Sequence, residues 1–202
     1  FCLARAVLLA SQHGGHAAVT ALAGAVTEMA EGEVLQLQRA GDLDCPLATY
    51  MDLIEKKSAA LIAWCASAGA LAAGQADQAA ALEAYGRAVG VAFQITDDVL
   101  DYAEGTGKAP GADLRERKVT LPLLLAMETD PTLREDLRRG PPTDAELPGL
   151  MARVHATGAL DRALDQATAM VDQAATRLDA LPATSGRQAL LVLGRYLVER
   201  VQ

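Results

Sequence analysis

The sequence predicts an all-α protein, and three features of its composition indicate this class. Hydrophobic residues make up 51% of the 202 residues, whereas aromatic residues make up only 3%. Alanine is abundant and, like Leu, Gln, Glu, Arg and Met, favours helices because these side chains lose little freedom there. No run shows the alternation of Val, Ile, Thr and aromatic residues that is typical of strands. We therefore expect long helices packed in one bundle.

Helix-breaking residues divide the first half of the chain into four predicted helices. These helices cover residues 2–12, 16–39, 49–73 and 77–102. Thr49 followed by Asp52 resembles a capping box and predicts the start of the third helix. In the fourth helix, Gly86 and Gly90 predict close packing against a neighbouring helix, since no strand or glycine-rich nucleotide loop accompanies them.

The second half begins with a predicted loop, residues 103–119, in which three Gly, one Pro and seven charged residues occur. Thr120 is predicted to cap the next helix, with Pro122 in its first turn. The remaining predicted elements are a short helix and turn within 129–143 and helices at 144–155, 158–180 and 184–201. The sequence contains no tandem repeat and no linker, so we expect a single helical domain over residues 1–202.

Charge and cysteine content restrict the functional class and the compartment. The net charge of −8 argues against nucleic-acid binding, and an acidic protein that binds an anion needs metal ions or a few focused Lys or Arg residues. No apolar run reaches 18 residues without a charge, so no transmembrane segment is expected. Cys2, Cys45 and Cys65 are odd in number and lack metal-site spacing. We interpret them as buried apolar residues in a reducing compartment, the cytoplasm.

The strongest chemical signal is a group of polar residues near the end of the fourth predicted helix. Gln94, Asp97 and Asp101 follow one another at helical spacing on one face, and Asp98 lies at the edge of that face. Apolar neighbours indicate a mostly buried helix, where carboxylates are costly unless they are paired or bind metal. Oxygen ligands at this spacing suit Mg²⁺ bridged to phosphate. The alternative is a solvated acidic surface, which is the usual role of a charge run.

The residues that follow favour the metal site over the acidic surface. A loop with Lys108 and Lys118 could fold lysines back over a metal-bound diphosphate. The run Gly90–Tyr102, with Gly107-Lys108 and Arg115–Pro122, resembles the second aspartate-rich region of the trans-isoprenyl diphosphate synthases. The phrasing of this loop is most similar to long-chain members that make octaprenyl to decaprenyl diphosphates. Three further stretches carry the resemblance, so that it covers essentially the whole chain: Phe1–Ala6, Ala30–Gln36 and Ile54–Leu61.

The resemblance implies a fold, a reaction and a set of site residues. The fold would be the all-α isoprenoid synthase bundle, usually a homodimer. The reaction would extend a trans-polyprenyl diphosphate, a quinone side-chain precursor, by joining an allylic diphosphate to isopentenyl diphosphate. Asp97 and Asp101 would ligate Mg²⁺, and Asp98 would support them directly or through water. The residues implied in contact with the allylic diphosphate are Lys57, Ser58, Gln94, Lys108 and Lys118, of which Lys57 would also be catalytic. Ser58 departs mildly from the family's Lys-Thr pair but keeps the hydroxyl.

One departure from the family pattern limits the expected activity. The family carries an earlier D-D-x-x-D motif and an isopentenyl diphosphate site before it, and neither occurs in this sequence. We therefore expect N-terminal helices of the bundle to be missing and this stretch alone to be inactive. Two alternatives stay open: a short-chain farnesyl or geranylgeranyl diphosphate synthase, and a non-catalytic helical subunit that partners with an active homologue. The retained aspartates and lysines argue against the second, since a decayed subunit has no chemical reason to keep them.

Overall fold

The structure consists of helices, and the part of the chain that it describes contains no strand. It is a computed structural model that describes residues 1–103 and 110–200. The α-helices are α1 Cys2–His13, α2 Gly15–Gln38, α3 Leu47–Ile54, α4 Ala60–Ala72, α5 Ala76–Leu100, α6 Ala112–Arg115, α7 Leu121–Thr129, α8 Thr132–Arg138, α9 Leu147–Ala156, α10 Ala159–Ala175 and α11 Ser185–Glu199. A π-helical turn, Glu55–Ala59, joins α3 to α4, and a 3₁₀ turn, Thr176–Ala180, follows α10. The predicted all-α class is confirmed.

The predicted helix boundaries are right to within a few residues, with two differences. Helix α3 begins at Leu47 behind Pro46 and not at Thr49, so the predicted capping box is not the start of the helix. The extended backbone of Pro46 (φ −62°, ψ 143°) already directs the chain into the helix without a side-chain cap. The predicted loop of residues 103–119 contains the short helix α6 in its described part.

Helix α5 lies at the centre of the main hydrophobic core and packs against α4 and α10. Its close approach to α4 depends on two positions without side chains. A Cβ atom at Gly86 would lie 2.9 Å from Cα of Ala63, and one at Gly90 would lie 2.6 Å from Cα of Ala59. The close packing predicted for these glycines is therefore confirmed. It brings the polar end of α5 next to the π-helical turn.

The first two helices form a smaller apolar cluster that is separate from the main core. Ala10, Ala18 and Leu22 are buried there, and the indole N–H of Trp64 donates a hydrogen bond to the carbonyl oxygen of Ala18 (3.3 Å). The prediction of three buried cysteines is wrong for two of them: Cys45 is buried, but Cys2 and Cys65 are exposed, because they lie on the outer faces of α1 and α4. In the described residues, each helix is too short or too polar to span a bilayer.

Candidate active site

The two adjacent aspartates near the end of α5 lie in opposite environments. Ile95 and Val99 belong to the buried stripe of the helix, and Asp98 lies in the same stripe, with only 1% of its side chain exposed. Asp97 is rotated away from that stripe by one helical step, and half of its side chain (51%) is exposed. The helical period alone therefore assigns one carboxylate to the interior and the other to the surface.

Asp98 is the centre of a buried hydrogen-bond network. The hydroxyl of Tyr50 donates to its Oδ2 atom (2.8 Å), and the side chains of Gln94 and Lys118 donate to its Oδ1 atom (2.9 and 3.1 Å). Burial raises the pKa of Asp98, while the charge of Lys118 and the three hydrogen bonds act in the opposite direction. The network provides the partners that a buried carboxylate needs.

Lys118 is shared between two carboxylates. Its Nζ atom lies 3.1 Å from an Asp98 oxygen and 3.2 Å from an Asp113 oxygen. Burial raises the pKa of Asp113 to about 6, against the opposing effect of Lys118. Burial alone would lower the pKa of Lys118, but the two carboxylates raise it above its ordinary value. Lys118 is therefore a charged ammonium group held in a fixed place.

Lys57 and Ser58 lie in the π-helical turn and face α2 and α5. Lys57 Nζ donates to Oε1 of Gln36 (2.9 Å) and forms an ion pair with Glu33 (3.0 Å). The Ser58 hydroxyl donates to Oε1 of Gln94 (2.6 Å). Because Gln94 also donates to Asp98, it links the π-helical turn to the Asp98 network. Residues 57, 94 and 118, far apart in sequence, thus meet at one place.

The π-helical turn is held between two helices that carry glycine where they touch it. A Cβ atom at Gly32 of α2 would lie 2.4 Å from the backbone nitrogen of Lys57, and one at Gly90 of α5 would overlap Ala59. A π turn adds a residue to the helical repeat and often occurs at functional sites. Here it brings Lys57 towards α2 and Ser58 towards Gln94 in consecutive positions.

A cavity of about 200 Å³ opens beside these polar groups. Lys57, Gln94 and Lys118 supply polar atoms at its wall, and apolar side chains such as Leu53 and Ile54 line the rest. Such a combination of a few convergent polar groups with an apolar lining is typical of ligand sites. It suits a molecule with an anionic head and an apolar body.

The other two predicted metal ligands have different partners. Asp97 pairs with Arg200 (3.2 Å), whose guanidinium group lies 4.4 Å from the ring centroid of Phe93. Asp101 accepts hydrogen bonds from the backbone N–H groups of Ala112 and Asp113 (3.1 and 2.9 Å) and so caps α6. Lys108, also predicted to contact the diphosphate, lies outside the described residues.

The predicted Mg²⁺ site can be tested against this donor set. Across residues 1–103 and 110–200, no three His, Cys, Asp or Glu side chains are grouped so as to enclose a metal ion. Mg²⁺ at phosphate sites, however, uses one or two carboxylates together with the phosphates themselves. The exposed oxygens of Asp97 fit that role. Asp98 points into the core, where its oxygens accept hydrogen bonds from Tyr50, Gln94 and Lys118.

Several residues of the site were missed by sequence reasoning. Tyr50 and Asp113 were not predicted to belong to the site, and Glu33 and Gln36 were included only within Ala30–Gln36, a stretch that carries the family resemblance. Asp113 could have been found from its position five residues before Lys118 in a loop already regarded as functional. For Tyr50 the sequence carries no comparable signal, since only the packing of α3 against α5 brings it there.

Comparison with known proteins identifies the same group of proteins. Residues 1–154 match the family model described as polyprenyl synthetase. The chain is 35% identical to heptaprenyl diphosphate synthase component 2 of Geobacillus stearothermophilus, over 99% of this chain and 64% of that protein. It is 36% identical to octaprenyl diphosphate synthase of Haemophilus influenzae, over 99% and 63%. A polyprenyl synthase from Caulobacter crescentus CB15, solved with calcium and isoprenyl diphosphate, shares 40% identity with a TM-score of 0.91, over 98% of this chain and 63% of that one.

The match covers nearly all of this chain but not all of its relatives. The chain spans less than two thirds of the length of the relatives named above. Motif, fold and similarity agree, and the chain belongs to the polyprenyl synthetase family.

Proposed function

We propose that this chain is part of a prenyltransferase that joins an allylic diphosphate to isopentenyl diphosphate and so extends a trans-polyprenyl diphosphate, a precursor of quinone side chains. The observation that supports this most is the meeting of Lys57, Gln94 and Lys118 at one cavity with an apolar lining. The chain spans less than two thirds of the length of its relatives. We therefore propose this activity for the longest natural protein that contains the chain.

The proposed reaction breaks the C–O bond between the allylic carbon and its diphosphate and requires the leaving group to be neutralised. Lys57 and Lys118 place ammonium groups at the cavity wall, where preorganised charge stabilises a leaving anion. The amide of Gln94 and the hydroxyl of Ser58 fix the orientation of this wall through their mutual hydrogen bond. The apolar side chains exclude water from the carbocation, which then alkylates isopentenyl diphosphate and loses a proton. Mg²⁺, when bound, supplies further neutralisation of the diphosphate.

We assign the metal-holding role to Asp97 and Asp101 and a positioning role to Asp98. Asp97 offers exposed oxygens, and Asp101 lies one turn further along the same helix end. Asp98 holds Lys118 and Gln94 in place through its buried carboxylate. Contact between Lys108 and the diphosphate is proposed from the family resemblance alone. We also propose, on that resemblance, that the protein is a homodimer in the cytoplasm, although a relative is named as one component of a synthase.

To test this function, the longest natural protein that contains the chain is incubated with isopentenyl diphosphate, farnesyl diphosphate and Mg²⁺, and the chain length of the products is measured. We expect products longer than geranylgeranyl diphosphate; products no longer than that would identify a short-chain synthase. No product would favour the non-catalytic subunit.

Two neighbouring lysines provide a matched pair of variants for the same assay. Lys57→Ala removes the ammonium group at the cavity and should lower kcat about 100-fold, the scale of losing one preorganised charge at a transition state. Lys56→Ala removes a surface lysine that pairs with Glu31 and Asp52 and should leave the rate within about twofold, as expected for exposed ion pairs. Equal effects of the two substitutions would contradict the assigned role of Lys57.

A further inference from the structure

The turn that ends α6 contains a residue in an unusual backbone conformation, immediately before Lys118. Arg117 has φ +53°, and it is the only residue other than glycine with positive φ in the described ranges. The N–H of Arg117 bonds to the carbonyl oxygen of Leu114 (3.2 Å), and that of Lys118 bonds to the carbonyl oxygen of Asp113 (2.8 Å). This pair of bonds ends many helices, and its left-handed position is usually a glycine, since a Cβ atom is disfavoured there.

Arg117 contacts Gly41 through both its backbone and its side chain. The backbone carbonyl oxygen of Arg117 accepts a hydrogen bond from the N–H of Gly41 (3.0 Å), and its guanidinium group lies beside the same residue. A Cβ atom at Gly41 would lie only 3.3 Å from Cζ of Arg117. The Nε atom is buried and has no hydrogen-bond partner in the described part of the chain. The guanidinium group therefore acts here by packing on the backbone of the α2–α3 loop.

The two loops joined in this way both line the cavity. The α2–α3 loop, residues 39–46, contributes Arg39, Ala40 and Cys45, and the α6–α7 loop contributes Glu116, Lys118 and Val119. Arg117 is next to Lys118 in the chain and touches the other loop at Gly41. It thus connects the two loops next to the partly buried ammonium group of Lys118.

We propose that Arg117 is a positioning residue that clasps the α2–α3 loop to the α6–α7 loop and thereby fixes Lys118 at the diphosphate site. The proposal rests on the proposed function, because it assigns a diphosphate to the cavity. It explains why a strained residue stands where glycine would form the same turn more easily. Strain of this kind persists where surrounding contacts enforce it, and it concentrates at functional sites.

The substitution Arg117→Gly separates a positioning role from a merely structural one. Glycine suits the left-handed turn and keeps the backbone carbonyl that accepts from Gly41, so the melting temperature should stay equal or rise, while the packing of the guanidinium group on Gly41 is lost. We expect the affinity for inorganic pyrophosphate with Mg²⁺, measured by calorimetry, to fall about tenfold, equivalent to about 1.4 kcal/mol. Arg117→Lys keeps the charge but not the planar group and should also bind more weakly. Arg115→Gln removes a charge two residues away and should bind like the wild type.

Hydrogen exchange provides a second readout that does not depend on the ligand. The amide of Gly41 should exchange faster in Arg117→Gly than in the wild type, because its acceptor loop is no longer clasped. Unchanged exchange at Gly41 would overturn the clasp. Faster exchange with unchanged pyrophosphate affinity would overturn the positioning role. All these measurements use the longest natural protein that contains the chain; if its wild type bound no pyrophosphate, the proposed function would be refuted, while the exchange result would still decide whether the clasp exists.

Discussion

Asp97 and Asp98 are neighbours in sequence, but they lie in different environments in the structure. Asp98 is buried and neutralised by Lys118, and its oxygens accept bonds from Tyr50 and Gln94. Asp97 is half exposed and forms an ion pair with Arg200. A buried carboxylate with a charged partner contributes to stability through that partner, whereas an exposed one contributes little. The substitution of Asp98 by asparagine should therefore destabilise the protein much more than the substitution of Asp97.

Asp98→Asn should destabilise the protein, because Lys118 loses its most buried partner and Gln94 then faces another amide. We expect the free energy of unfolding to fall by about 2 kcal/mol, less than for a fully isolated charge because Asp113 still pairs with Lys118. Urea unfolding measures this change. Asp97→Asn should leave the free energy of unfolding within about 0.5 kcal/mol of the wild type, as for most surface substitutions.

Metal-dependent binding should depend on Asp97, the residue that matters less for stability. Asp97→Asn should weaken the Mg²⁺-dependent binding of pyrophosphate, since it removes an exposed oxygen ligand. If Asp97→Asn destabilised the protein as much as Asp98→Asn, the assignment of one carboxylate to the core and the other to the metal would be wrong.

At the scale of the elements, the π-helical turn Glu55–Ala59 depends for its place in the fold on two glycines of the neighbouring helices, Gly32 and Gly90. Gly32→Ala would put a methyl group 2.4 Å from a backbone atom of Lys57, where neither helix can yield easily. We expect a loss of about 3 kcal/mol in unfolding free energy, at the upper end for overpacked sites. The displaced Lys57 should also bind pyrophosphate more weakly.

Helix α2 itself provides the control for this prediction. Gly24 lies on the exposed side of the same helix with nothing within 4 Å of a Cβ atom. Gly24→Ala should therefore raise the free energy of unfolding by about 0.5–1 kcal/mol through helix propensity alone. A destabilising Gly24→Ala, or a harmless Gly32→Ala, would show that the close contact at Lys57 is not what the structure implies.

The sequence allowed the helices and the polar end of α5 to be predicted, because they depend on local periodicity and on a distinctive motif. The π-helical turn Glu55–Ala59 could not be predicted, because its sequence is typical of an ordinary helix. Only the contacts of the glycines in α2 and α5 show how closely the two helices pack against this turn. The partition between Asp97 and Asp98 lay within reach: Ile95, Val99 and Tyr102 mark the buried stripe. The partner Tyr50 comes from a distant helix, so no local pattern could indicate it.

At the scale of the molecule, the main core extends from Leu43 to Val198 without interruption between helices. We expect one cooperative unfolding transition, as for a single domain, with fluorescence of Trp64 and far-ultraviolet circular dichroism giving the same midpoint. Two separated transitions would instead divide the chain into domains.

The largest exposed apolar side chains of α1 are candidates for contact with a second copy of the chain. Leu3, Val7 and Leu8 are each more than two fifths exposed, an unusual concentration for a free surface. We expect light scattering to give twice the mass of the 21.1 kDa chain, and Leu8→Asp to yield the monomer. Val192→Asp places the same charge on α11 at an apolar position that is more exposed (59% against 44% for Leu8) and should leave the mass unchanged. A monomeric wild type would contradict the homodimer.

The ion pairs of Lys57 and Lys118 have a consequence for how ionic strength acts on the site. Glu33, Asp98 and Asp113 already neutralise these ammonium groups, so few mobile counterions need to gather around them. An incoming diphosphate then exchanges one fixed anion for another and releases little bound salt. Between about 50 and 500 mM KCl, where exposed charges become strongly screened, pyrophosphate affinity measured at saturating Mg²⁺ should therefore change only about threefold. A steep dependence of the affinity on KCl concentration would mean that the ammonium groups of Lys57 and Lys118 are exposed to solvent before the ligand binds.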